Sequence, residues 1–190
     1  MLRLNAPGVG KFALIGGFSG ALYGLWQFGF LMSLGDSGVA LPEGLTVASG
    51  EVGAGLFYGI VVGAALRRDL GLTRFSWLAY IIAASASCLA AIHAAIALYD
   101  YRGPEWVATA AGGAAGGLGA LLLSGATALL SRRARDGGFV ALTAAAGALC
   151  GLALPLALEA DSLVAWIAFF ALWQAAYAGA PAVALGLRAA

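Results

Sequence analysis

The stretch Arg67–Leu98 reads RRDLGLTRFSWLAYIIAASASCLAAIHAAIAL, a basic turn followed by a long apolar run. The run Phe75–Leu98 contains no Asp, Glu, Lys or Arg. A helix of this length, rising 1.5 Å per residue, can cross a hydrocarbon core of about 30 Å. Basic residues next to such a span mark the cytoplasmic side of the membrane. This stretch therefore predicts a transmembrane helix with its basic end in the cytoplasm.

The rest of the chain follows the same plan. Apolar residues make up 62% of the 190 residues and charged residues 10%, whereas soluble domains carry about 25% charge. The runs do not alternate polar and apolar residues as barrel strands would. We predict one all-α membrane domain covering residues 1–190, a bundle of six transmembrane helices. The predicted spans are Phe12–Leu34, Leu45–Leu66, Phe75–Leu98, Trp106–Leu130, Phe139–Leu158 and Leu163–Leu187.

The charges between these runs predict the orientation, because cytoplasmic loops retain Lys and Arg. Basic residues cluster at the two termini and at the second and fourth breaks: Arg3, Lys11, Arg67, Arg68, Arg74, Arg132, Arg133, Arg135 and Arg188. Acidic residues cluster at the other three breaks: Asp36, Glu43, Glu51, Asp100, Glu105, Glu159 and Asp161. Only Arg102 departs from the basic pattern. We predict cytoplasmic termini and a bacterial inner (plasma) membrane location, with an organelle inner membrane as the alternative.

Glycines at intervals of four form stripes on the first two spans. They are Gly16, Gly20 and Gly24 in the first span and Gly55, Gly59 and Gly63 in the second. A four-residue interval places side chains on one helix face, and small residues let membrane helices approach closely. We therefore expect the first two spans to cross through these stripes. Gly/Ala faces of this kind would also suit a homo- or hetero-oligomer.

A few polar residues lie within the predicted spans, and three of them share a level. Counted from the outer end of each span, Gln27 is about 10 Å deep, Glu51 about 9 Å and His93 about 8 Å. Gln174 is deeper, at about 16 Å. Intramembrane polar groups face a bundle interior or a cavity. We predict a solute-binding pocket that opens outward, with these four residues as its polar groups. Its expected walls are Tyr23, Trp26, Tyr58, Trp173 and Tyr177.

A plainer interpretation of the same residues stays open. Glu51 and His93 could simply satisfy each other within the bundle, and glutamines often bridge helices. If Glu51 instead begins the second span, its carboxylate would interact favourably with the positive end of the helix dipole, and it would no longer lie deep in the membrane. Pro155 and Pro181 predict kinks, since proline removes a backbone donor from a helix.

Composition and motifs argue against several functions. The net charge of +1, with no basic patch interleaved with aromatics, disfavours nucleic-acid binding. Cys88 and Cys150 are not in a CxxC pair, and a single His disfavours a metal site. We predict no metal and no cofactor. No phosphate-loop signature is present, so the chain cannot by itself couple ATP to movement.

Three functions remain. The favoured one is a transport-type membrane protein that binds or passes a small solute through the outer pocket. The alternative is a structural or assembly subunit of a larger membrane complex, which would explain the short breaks and the glycine stripes. A membrane-embedded enzyme is a distant third, because only Glu51 and His93 could act as acid and base. The expected partners are the lipid bilayer and a small solute.

Overall fold

The computed structural model describes residues 6–31, 33–34, 38, 43–98, 104–160 and 162–186, and this part of the chain is almost entirely helical. Arg3, Asp36, Asp100, Arg102, Asp161 and Arg188 lie outside the described residues. A π-helical turn, Leu25–Leu31, continues the first helix, and a short 3₁₀ turn, Arg132–Ala134, follows the fourth. The α-helices are α1 (Ala6–Gly24), α2 (Glu43–Leu70), α3 (Arg74–Leu98), α4 (Glu105–Leu130), α5 (Gly137–Gly151), α6 (Leu154–Ala160) and α7 (Leu163–Leu185).

Local sequence explains where several helices begin and end. The Asp136 carboxylate accepts a hydrogen bond from the backbone N–H of Gly138 (2.9 Å) at the start of α5. The Ser162 hydroxyl accepts one from the N–H of Ala165 (3.2 Å) at the start of α7. Both are N-caps that satisfy donors the helix leaves free. Gly186 ends α7 in the left-handed conformation (φ 59°), which glycine adopts without steric cost.

Five helical segments among the described residues are long and apolar enough to cross a membrane. They are Gly50–Leu70, Arg74–Leu98, Trp106–Leu130, Gly137–Ala160 and Leu163–Leu185. These correspond to the second to sixth predicted spans. The first predicted span is divided between α1 and the π-helical turn, and α1 is not among the five.

The surface of the bundle is apolar in the way that a bilayer requires. Long apolar side chains stand outward on several helices, with Phe75 87%, Leu129 81% and Val164 75% exposed. Soluble monomers rarely expose large contiguous apolar patches. The fold is therefore that of a multi-pass membrane protein, whose outer face would contact lipid.

Glycines lie where antiparallel neighbours approach each other. A Cβ atom on Gly20 would overlap the carbonyl oxygen of Phe170 in α7, and one on Gly55 would overlap that of Ala84 in α3. The other stripe glycines behave alike: Gly16 faces Gln174, Gly24 faces Ile167, Gly59 faces Ile81 and Gly63 faces Tyr80. The stripe on α1 thus faces α7, and the stripe on α2 faces α3.

The prediction that the two stripes meet each other is wrong. α1 and α2 are neighbours, but through the Tyr23 ring, whose Cε2 would lie 2.7 Å from a Cβ on Gly53. A stripe of small residues marks a face for close approach, and it does not specify which helix approaches it. Because the chain's own helices cover both stripes, an oligomer would have to use other Gly/Ala faces, and this contact stays a prediction.

The two basic turns lie together at one end of the bundle. The Ser131 hydroxyl, after α4, donates a hydrogen bond to the carbonyl of Leu70 at the end of α2 (2.6 Å). The Arg133 guanidinium donates another to the carbonyl of Asp69 (2.8 Å). The breaks containing Arg67, Arg68 and Arg74 and those containing Arg132 to Arg135 therefore form a single basic end.

The two prolines have different effects. A turn at Leu152 and Ala153, just before Pro155, separates α5 from α6. Pro181 lies inside α7, which continues to Leu185. A proline at 181 has no N–H for the carbonyl four residues earlier. That carbonyl, of Tyr177, accepts a hydrogen bond from the buried Tyr58 hydroxyl of α2 instead (3.0 Å).

Candidate functional site

An apolar cavity of about 310 Å³, which we call the outer cavity, lies between the helices of the bundle. Aromatic side chains of the π-helical turn and α7 form one wall, together with Tyr23 and Gln27. Small apolar residues of α2 to α6 form the remainder. The described aromatic and amide residues lining it are Tyr23, Gln27, Phe28, Trp166, Phe169, Phe170 and Trp173.

Chain direction places the outer cavity at the end opposite the basic turns. Its lining residues Ala95 and Ile96 come late in α3, and Leu158 comes late in α6. Gly50 and Gly112 come early in α2 and α4. Since α2 and α4 end at the basic turns and α3 begins there, all these positions lie at the far end. This is the end where the acidic breaks join the helices.

Ring contacts hold the aromatic wall in place. The rings of Phe28 and Trp166 stack nearly parallel with centroids 4.7 Å apart, and Tyr23 meets Phe170 edge-on at 4.6 Å. The Tyr23 hydroxyl also donates a hydrogen bond to the carbonyl of Gly50 (3.1 Å). Offset and edge-on aromatic pairs are favourable beyond their burial. These contacts fix the aromatic side chains that line the outer cavity.

A second cavity, of about 30 Å³, lies one helical turn closer to the basic end. We call it the inner cavity. On four helices, a residue that lines the inner cavity is four positions from a residue that lines the outer cavity, which is about 6 Å along the helix. The pairs are Gly50 and Ala54, Ala91 and Ser87, Ala115 and Gly119, and Phe170 and Gln174. Trp173 lines both cavities and therefore stands between them.

A third cavity, of only about 10 Å³, continues this series toward the basic end. Tyr58 and Leu123 line both it and the inner cavity, and Thr127 and Thr143 also line it. The interior thus narrows from about 310 Å³ to 30 Å³ and then to 10 Å³. Of these three cavities, the outer one is the largest.

Hydrogen bonds to backbone carbonyls fix the polar side chains around the inner cavity. Gln174 Nε2 donates to the carbonyl of Ala54 (2.9 Å), and the Tyr177 hydroxyl donates to that of Gly116 (2.8 Å). Gln174 Oε1 is buried without a hydrogen-bond partner. Trp173 Nε1 is also buried, and it interacts with the Tyr177 hydroxyl at a geometry short of a full hydrogen bond, with the two ring centroids 5.4 Å apart.

Glu51 and His93 form a separate pair. Glu51 lies inside α2, eight residues after its first residue Glu43, and not at the helix start. Its carboxylate Oε1 is 3.8 Å from His93 Nε2 on α3. The side chains are 36% and 60% exposed, and neither lines any of the three cavities. Among the described residues, no three His, Cys, Asp or Glu side chains come together as a metal ion would require.

The structure therefore divides the predicted site residues into groups. Gln27, Tyr23 and Trp173 line the outer cavity, while Gln174, Tyr58 and Tyr177 line the inner one with Trp173. Glu51 and His93 lie together on the surface of α2 and α3. Trp26 is exposed. The expected convergence of Gln27 with Glu51 and His93 on one cavity is not found.

Sequence reasoning missed most of the aromatic wall. The predicted wall residues did not include Phe28, Trp166, Phe169 or Phe170, which line the outer cavity. A signal was present in the sixth run, because 166, 169, 170 and 173 follow the spacing of one helix face. No protein-family model, curated protein or solved structure is significantly similar to this chain.

Proposed function

We propose that this protein binds a small, mostly apolar solute in the outer cavity, as a transport-type membrane protein. The observation that carries the proposal is a preorganised aromatic cavity of about 310 Å³ at the acidic end of the bundle. Ligand sites are typically apolar cavities of about 300–1,000 Å³ with a few placed polar groups. Gln27 and Tyr23 supply such groups here. The proposal assigns no catalytic step to any residue.

The chemistry of the lining defines the solute. No Asp, Glu, Lys, Arg or His is among the described residues of the outer cavity, so an ion would enter without a charged partner at high cost. A neutral solute is favoured. An apolar cavity of about 150 Å³ holds a benzene molecule, and this cavity is about twice as large. A two-ring aromatic molecule is therefore a suitable size for a probe.

The membrane topology belongs to the same proposal. α1 runs antiparallel along the full-length span α7, with Gly16 opposite Gln174 and Gly24 opposite Ile167. This packing supports α1 with its π-helical turn as a sixth crossing. The basic end then faces the cytoplasm, with both termini there, and the outer cavity faces outward. A bacterial inner membrane suits this arrangement, as does an organelle inner membrane.

The proposal is tested by ligand-dependent stability of the purified protein in micelles. A ligand that binds only the folded state raises its stability by about 2.7 kcal/mol at one hundred times Kd. Naphthalene should raise the unfolding midpoint of the wild type. Ala115→Trp should abolish the shift because Ala115 lines the outer cavity. Ala114→Trp is the matched control, since its neighbour Ala114 is exposed.

The control also identifies an artefact of the micelle. Equal shifts in wild type, Ala114→Trp and Ala115→Trp would mean that naphthalene acts on the detergent or on the outer surface. That result would refute solute binding in the outer cavity. If the shift is instead specific to the outer cavity, the flux of a radiolabelled ligand into liposomes would distinguish a protein that only binds the solute from one that also passes it across the membrane.

One observation favours the alternative, an assembly subunit of a larger complex. The Glu51–His93 pair is partly exposed on helices whose surface is otherwise apolar. Polar and ionisable groups that face lipid are costly and are usually covered. A partner helix would cover this pair. In that case, the double variant Glu51→Gln/His93→Ala should dissociate the native complex and leave the naphthalene shift intact. Recovery of the same complex with the double variant would exclude this contact.

A further inference from the structure

We infer that the inner cavity is a subsite for an uncharged polar group at one end of the solute. The inference rests on the proposed function, because the body of the solute would occupy the outer cavity. It adds the chemical class of the ligand: a mostly apolar molecule with one neutral group that both donates and accepts a hydrogen bond. A hydroxyl is the simplest such group, and a primary amide is another.

The first argument is an unsatisfied acceptor at a fixed position. Gln174 is only 3% exposed, and its Nε2 is bonded to the carbonyl of Ala54. The amide is thereby held in place, and its Oε1 remains without a partner. Buried polar atoms nearly always have hydrogen-bond partners, and each exception calls for an explanation. A donor supplied by a guest in the cavity that Gln174 lines is such an explanation.

The second argument is an unsatisfied donor beside the same cavity. Trp173 Nε1 is buried and interacts with the Tyr177 hydroxyl, but at a geometry short of a full hydrogen bond. An indole N–H can only donate, so its missing partner is an acceptor. Gln174 Oε1 needs a donor. A hydroxyl group can both donate and accept, so it can pair with either atom, and Ser87 also lines the inner cavity as a further potential partner.

The third argument is size and position. About 30 Å³ holds one or two water molecules, since one water requires roughly 10–15 Å³ of this kind of volume. It therefore holds a hydroxyl or amide group and not a ring. The inner cavity lies one turn beyond the outer one, and Trp173 lines both. A solute whose rings contact the aromatic wall would thus direct its polar end toward the basic end of the bundle.

The test compares 2-naphthol with naphthalene, two probes that differ by one hydroxyl group. The dissociation constant of each probe is calculated from the shift of the unfolding midpoint, after subtraction of the shift that the same probe causes in Ala115→Trp in the same micelles. Wild type should bind 2-naphthol about tenfold more tightly, as expected for one satisfied buried hydrogen-bonding group. Gln174→Met keeps an unbranched side chain of similar length without hydrogen-bonding groups, and it should reduce this preference to about twofold or less.

Trp173→Phe provides a second, independent variant. It removes the indole donor with the five-membered ring, keeps an aromatic ring between the cavities, and should lower the ratio of 2-naphthol to naphthalene affinity, whatever its effect on naphthalene itself, because Trp173 lines both cavities. It keeps the test decisive if Gln174→Met does not fold. Equal binding of both probes to wild type would overturn the inner subsite and leave the proposed function standing. No shift with either probe, relative to Ala115→Trp, would overturn the proposed function itself.

Discussion

The hydrogen bond from Tyr58 to the carbonyl of Tyr177 gives the sharpest prediction about stability. Pro181 has no N–H to donate a hydrogen bond to this carbonyl. The buried Tyr58 hydroxyl donates one instead, at 3.0 Å. Tyr58→Phe should therefore leave a buried carbonyl oxygen unsatisfied. Such a loss costs about 1–3 kcal/mol. We expect Tyr58→Phe to lower the free energy of unfolding by an amount in this range.

A double-mutant cycle isolates the role of the proline. Pro181→Ala restores an N–H to α7, so Tyr58→Phe should cost less in that background. Interhelical hydrogen bonds in membrane proteins give coupling energies of about 0.6–1.7 kcal/mol in such cycles, and we expect about 1 kcal/mol here. Tyr58 also interacts with the Tyr80 hydroxyl. That contribution is the same in both backgrounds and cancels.

The assay is reversible unfolding in mixed micelles of increasing denaturing detergent, followed by helical circular dichroism. All four proteins of the cycle are measured under the same conditions. A coupling energy within about 0.3 kcal/mol of zero, the usual limit for independent sites, would refute the reasoning. Tyr58 would then stabilise the bundle through packing alone, whatever the size of the single-mutant effect.

Two further predictions concern packing and topology. Gly20→Ala should destabilise the bundle by about 1–3 kcal/mol, because its Cβ would overlap the backbone of α7. Gly10→Ala, with no atom within 4 Å of its Cβ, should be neutral or slightly stabilising in the same unfolding assay. Equal effects of the two substitutions would contradict the close approach of α1 to α7. Arg132→Cys, in a background with Cys88 and Cys150 replaced by Ala, should react with a membrane-impermeant maleimide only from the cytoplasmic side. Labelling from the outside would reverse the proposed orientation.

The sequence was sufficient to predict the helices but not their partners. Uninterrupted apolar length identified the second to sixth spans, and the turn before Pro155 follows from the chemistry of proline. The basic turns were expected to share one end, and the hydrogen bond from Ser131 to Leu70 joins them. Which helix covers a glycine stripe depends on the order in which all the spans pack. Gly20 therefore gave no indication that α7 would be its neighbour.

The candidate site was only partly predictable, because the sequence indicates how deep a residue lies in the membrane but not which way its side chain points around the helix axis. Depth placed Glu51 and Gln27 at a similar level, but consecutive residues of a helix point about 100° apart. Gly50 consequently lines the outer cavity while Glu51 does not. The same holds for Ile92 and His93. A cavity depends on how the side chains of several helices pack against each other, and no single stretch of sequence determines that packing.

The central claim, that the outer cavity holds a small apolar solute, is tested most directly by locating a heavy-atom probe. Crystals of the protein soaked in 1-bromonaphthalene should show bromine anomalous density between Trp166, Phe170 and Ala115, and this density should disappear in Ala115→Trp crystals. Bromine sites found only on the lipid-facing surface, with the outer cavity empty, would contradict the claim.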